Sequence, residues 1–99
     1  MEDIIILTLI TGNDVICKAT ESNGAFAVKK PLLIMQVPDE KTQSVRLGFM
    51  PYSHVCDPDS IIILKNAIAS IGEPIEEIKR QYQEATGDII MSSSKIQLA

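Results

Sequence analysis

His54, Cys56, Asp57 and Asp59 fall in one short stretch, the only local gathering of side chains able to ligate a metal or attack a substrate. A thiolate beside an imidazole makes a nucleophile, and His with Cys can bind zinc. A structural zinc site takes about four ligands. The second cysteine, Cys17, lies far away in a strand-like run, where a small buried hydrophobe is expected. Pro51, Pro58 and Asp57 give the stretch the turn chemistry of an ordered loop. The remaining carboxylates are scattered and supply no acid–base pair. The sequence therefore predicts no enzyme, no catalytic residue, no cofactor and no metal.

The elements around this stretch are better marked than its chemistry. About five short apolar segments follow one another, at residues 4–10, 15–20, 25–37, 45–50 and 61–65, with turn residues between them. Thr11-Gly12-Asn13-Asp14 reads as a tight turn, and Asn23-Gly24 is a strong hairpin signal. Pro31 interrupts the third segment, so that strand breaks, bends or lies at an edge. Residues 38–43 are polar and carry Pro-Asp, the makings of a solvent-exposed hairpin tip. In the fourth segment Val45, Leu47 and Phe49 share one face, and Gly48 suggests a bulge or a close backbone approach. Ile61, Ile62, Ile63 and Leu64 form an unbroken apolar run, expected to be buried on both faces. Residues 66–71 either extend that strand or turn.

One helix is expected, over 74–86. Pro74 suits its first turn, Glu76 and Glu77 its positive end, and Gly87 its stop. Ile75, Ile78, Tyr82 and Ala85 make a narrow apolar stripe, enough to dock on a sheet. Residues 88–99, with Ser92, Ser93 and Ser94, read as a tail, and a neighbouring subunit is one candidate to hold it.

The 99 residues allow a single domain, over 1–87, with the tail beyond it. A domain this small buries only about 60–65% of its unfolded surface. Aromatics are 4% and Trp is absent, so the core must be aliphatic. A mean hydropathy of +0.15 is high for so small a chain and hints that some apolar surface is covered by self-assembly. The net charge of −4 opposes broad phosphate binding but leaves room for a local basic site. Lys29-Lys30 is the only adjacent basic pair in the strand region. In one copy it is a solvated edge; in a ring it repeats into a basic band. Phe26 and Tyr52 are the candidate base-stacking platforms. Phe26, in a strand, is expected in the core, whereas Tyr52 sits in the Pro-bounded loop. The opening MEDIIILTLI has no basic flank and too short an apolar run to span a bilayer, so a cytoplasmic, membrane-free location is expected.

A bent antiparallel meander of this kind resembles the Sm-like family, in particular the Sm-like proteins encoded by marine cyanophages. The resemblance rests on Leu9-Ile10-Thr11-Gly12-Asn13-Asp14-Val15-Ile16-Cys17-Lys18-Ala19, on Val45-Arg46-Leu47-Gly48-Phe49-Met50-Pro51-Tyr52 and on Ser60-Ile61-Ile62-Ile63-Leu64, and covers roughly residues 4–70. It implies a mainly β fold: a small five-stranded, strongly bent Sm-like antiparallel barrel, here with a C-terminal helix in place of the family's leading one. It implies a closed homo-oligomeric ring of roughly five to seven subunits, in which residues 44–50 of one copy pair with 60–65 of the next. Val45, Leu47, Phe49, Ile61, Ile62, Ile63 and Leu64 are then the interface candidates. It also implies single-stranded RNA as a ligand, with Asn23, Lys29, Lys30, Tyr52 and His54 as candidate contacts. The family's Asp and Asn after the second strand are replaced by Thr20-Glu21-Ser22-Asn23-Gly24, and its later Arg-Gly by His54-Val55-Cys56-Asp57. These departures, with the acidic charge, keep open a second function: a structural or adaptor protein of a phage particle or phage–host complex, with no nucleic acid bound.

Overall fold

The computed structural model describes residues 3–87. The tail expected over 88–99 lies outside the described residues. The chain forms β1 (Asp3–Leu9), β2 (Asp14–Ser22), β3 (Ala25–Asp39), β4 (Ser44–Pro51), β5 (Ile61–Leu64), a single 3-10 turn (Lys65–Ala67), β6 (Ile68–Gly72) and α1 (Glu76–Thr86). The fold is mainly β: a six-stranded antiparallel sheet in the order β4-β3-β2-β1-β6, with β5 paired to β3 beside that path. Six strands replace the expected five because the 3-10 turn divides the last apolar stretch. The chain leaves β3 at Leu64 and rejoins the sheet on β1 at Ile68. Among the described residues no continuous ladder closes the sheet.

The turns follow their residue types. Asn23 and Gly24 both take positive φ, 44° and 82°, which is what a two-residue hairpin turn with the right twist demands. Gly12, at φ 96°, donates its N–H to Leu9 in the β1–β2 turn. The β3–β4 tip is exposed as expected, though shorter, since β3 runs to Asp39 and β4 starts at Ser44. Gly48 marks no bulge: the β3–β4 ladder runs unbroken past it, opposite Met35.

Consecutive apolar residues in β1 and β2 serve two faces. Leu7, Val15, Cys17, Ala19, Phe26, Val28 and Ile63 form the inner core, joined by Ile5, Leu9 and Tyr52. On the other face Ile16 is buried beneath Ile78 and Tyr82 of α1, with Ile4, Ile6, Leu32, Ile34 and Phe49 around them. Burying two large side chains stabilises the docked helix by about 1.5–3 kcal/mol each. The helix begins at Glu76, later than expected, because Ile75 is extended and caps the first turn without a side-chain bond. Ile75 and Ala85 stay exposed, so the docked stripe is narrower than the sequence suggests. Gly87 ends the helix at φ 78°. Arg80 pairs with Glu77 and Glu84 on the solvent face, and its hydrogen bond holds the Glu77 carboxyl below its usual range.

Candidate functional site

Lys29, Lys30 and Pro31 lie where β3 changes neighbours. Its first part, Ala25 to Val28, pairs with β5; from Leu32 onward it pairs with β4. Against β2 the register slips by one at this point: Ile16 faces Leu32, and Lys18 faces Lys29. Cys17 is thus opposed by both Lys30 and Pro31, which is a β-bulge. Lys30 takes a positive φ of 52°, and Pro31 has no N–H for a ladder to lose. Of the expected alternatives, a break, a bend or an edge, the structure shows the bend, within one continuous strand.

The bend opens a gap between the end of β4 and the start of β5, and residues 52–60 fill it. Lys30 donates its N–H to the Pro58 carbonyl at 2.6 Å, and Tyr52 donates its N–H to the Pro31 carbonyl at 3.2 Å. The loop also holds itself. Ser53 Oγ accepts from the N–H groups of Val55 and Cys56, at 3.2 and 3.1 Å, and Asp57 Oδ1 accepts from Asp59 N–H at 3.0 Å. Helix α1 ends against the same bend: Tyr82 donates its hydroxyl to the Lys30 carbonyl at 2.7 Å, with the Lys29 carbonyl at 3.3 Å. A cleft of about 330 Å³ remains, walled by Pro31, Leu32, Pro51, Pro58 and Ile61. Lys30, Ser53 and Thr86 supply its polar rim.

Of the candidate contacts, the structure brings together Lys29 and Lys30 at the bend and Tyr52 beside it. Tyr52 is half-buried and its ring packs on the inner core, so it is not a free stacking platform. Phe26 is core, as expected, with Lys65 Nζ 5.9 Å from the ring centroid. Lys65 also pairs with Glu21, tying the end of β5 to the end of β2. His54 is exposed within the loop. Asn23 sits at the β2–β3 tip, about 20 Å along the strand from Lys29 at ~3.3 Å per residue. It does not join the bend.

Cys56 is exposed and Cys17 fully buried. Burial pushes the Cys17 thiol up to about 12. Among the described residues, no group of three or more His, Cys, Asp or Glu side chains is placed to hold a metal. Thr86 was not singled out from the sequence, and Tyr82 was expected only as part of the apolar stripe of the helix. Pro58 belongs to the Asp-Pro signal already noticed, but backbone acceptors for Tyr82 leave no sequence trace.

The interface candidates divide by strand face. Val45 and Leu47 are 60% and 42% exposed, and Phe49 is half-buried on the side that α1 covers. Ile63 is buried and Ile61 packs beside it, but Ile62 and Leu64 are 67% and 56% exposed. Burial of β5 on both faces is thus overturned. The strand covers the core with one face, and among the described residues nothing lies on the other. Among the described residues β4 and β5 each pair with β3 alone, so each has one open edge. No described helix is long and apolar enough to cross a membrane. Compared with protein-family models and with curated proteins, the chain matches none.

Proposed function

We propose that this chain is a Sm-like assembly module. Its open β4 edge pairs with the open β5 edge of the next copy and closes a homo-oligomeric ring. The observation that carries this reading is the pair of unsatisfied edges, each bearing exposed apolar side chains: Val45 and Leu47 on β4, Ile62 and Leu64 on β5. An open apolar edge is a liability in a monomer and is ordinarily paired or blunted by charge. The bent β3, shared between β5 and β4, supports the resemblance to the Sm-like barrel, in which one long strand turns the corner. The experiment is a solution mass measurement on the wild type and on Ile62→Lys. A ring predicts a multimer that the substitution breaks into smaller species or aggregates; a monomeric wild type sinks the reading.

Two roles for such a ring follow. One is binding single-stranded RNA, with Lys29 and Lys30 at the bend supplying a repeated basic band and His54 and Asn23 as outlying contacts. The other is a structural or adaptor role in a phage particle or phage–host complex, without nucleic acid. Burial of Phe26 and the packing of half-buried Tyr52 on the inner core favour the second, because stacking on exposed aromatic rings is a main source of single-strand affinity. Retention of RNA by the wild type in low salt would restore the first.

A further inference from the structure

We infer that the cleft beside the β3 bend binds a small apolar monocarboxylate, a short hydrocarbon body carrying one carboxylate. Its walls at Pro31, Leu32, Pro51, Pro58 and Ile61 are apolar. Three of these are prolines with no N–H to offer. The Pro31 and Pro58 carbonyls are already engaged, by the N–H groups of Tyr52 and Lys30. The wall therefore favours hydrocarbon. The prolines also fix its backbone, and the Tyr82 hydroxyl holds the bend at the Lys30 carbonyl, so the cleft is formed before a ligand arrives. At about 330 Å³ it lies at the low end of small-molecule sites, roughly 300–1,000 Å³, which keeps the body short. The rim sets the sign of the ligand. Ser53 Oγ accepts the N–H groups of Val55 and Cys56, so what remains to it is the proton it can donate. Thr86 spends its own proton on the Tyr82 carbonyl at 2.9 Å. Among the described lining residues Lys30 is the one charged side chain, and no carboxylate joins it. In a chain of net charge −4, a cleft with a cation, a hydroxyl donor and no acid selects a negatively charged acceptor. The inference depends on neither ring assembly nor RNA.

The test titrates the full chain with octanoate, octanol and octylammonium, read by methyl resonances. Octanoate should shift Leu32 and Ile61 saturably while Leu9 and Ile68, on β1 and β6, stay in place. Octylammonium should bind about tenfold more weakly or worse, the reverse of what the acidic net charge favours in bulk. Preference for the carboxylate thus reads the cleft and not the whole surface. Lys30→Gln should weaken octanoate about tenfold and leave octanol unchanged. No saturable shift of Leu32 and Ile61 with octanoate overturns the inference, and so does equal affinity for octylammonium. Shifts of Leu9 and Ile68 as large as those of Leu32 and Ile61 mark general adsorption and overturn it too. An unchanged octanoate affinity in folded Lys30→Gln does the same. Should that variant fail to fold, the ligand series on the wild type decides alone.

Discussion

The Tyr82 hydroxyl donates to the Lys30 carbonyl across 2.7 Å, joining the last turn of α1 to the residue at which β3 bends. Lys30 is one of three non-glycine residues with positive φ among those described, and the only one inside a strand. The helix therefore does more than cover the sheet: it fixes the backbone where the strand passes from β5 to β4. Tyr82 is fully buried, so its hydroxyl has no water to fall back on. Tyr82→Phe keeps the packing and leaves the carbonyl one donor short. It should cost about 1 kcal/mol of stability, measured by urea unfolding. A cost near zero would mean that the bond does not hold the bend.

Gly48 gives the opposite expectation. It lies in an unbroken ladder without positive φ, and an added Cβ would meet Val37 Cγ2 at 3.5 Å, ordinary contact. Gly48→Ala should stabilise the domain by about 0.5–1 kcal/mol, because a strand glycine loses more freedom on folding. Thermal unfolding reads the shift, and a lowered midpoint would count against the ladder described for β3 and β4.

Much of the fold is legible in the residues themselves. Asn23-Gly24 names its hairpin, Gly87 its helix end, and the Ile78–Tyr82 spacing its docked face. What escapes has physical causes. Lys65-Asn66-Ala67 contains neither Gly nor Pro, so nothing marks the 3-10 turn that makes six strands of five. Pro31 leaves a break, a bend and an edge open because a missing N–H usually ends pairing; here it falls in a bulge, where the ladder has none to satisfy. The Ile61–Leu64 run reads as doubly buried because all its residues are apolar, a pattern that a strand with one exposed apolar face also produces. At the bend, Lys29 and Lys30 stand out by charge. The acceptor of the Tyr82 hydroxyl, 52 positions away, is invisible to any local pattern.

Cys17 makes stability fall in alkali. Its thiol is pushed up to about 12 in the folded protein, from an ordinary value of 9.0. The folded state thus holds the proton more tightly than the unfolded chain does. The contribution is fully present below 9.0 and is lost as pH rises through the window to about 12, at up to about 1.4 kcal/mol per pH unit. Cys17→Ala should remove this share of the slope, at the expense of a small cavity. Thiol titration at mild alkaline pH should label exposed Cys56 and spare Cys17. Equal labelling would contradict the burial.

For nucleic acid the basic pair supplies the test. If the assembly binds single-stranded RNA, affinity should fall steeply with salt as phosphate contacts release counterions. Lys29→Glu with Lys30→Glu should then abolish binding and leave the assembly's mass unchanged. Filter binding of labelled oligonucleotides at about 50 mM salt, where electrostatic affinity is strong, separates the two roles. No retention by the wild type assigns the structural or adaptor one.

Assembly through the open edges of β4 and β5 is the central claim, and the mass of the wild-type protein in solution tests it most directly. Light scattering during size exclusion should return roughly five to seven times the 10.9 kDa chain mass for a closed ring. Ile62→Lys should shift that mass downward or drive aggregation. A wild-type mass of a single chain, unchanged on concentration, would contradict the account.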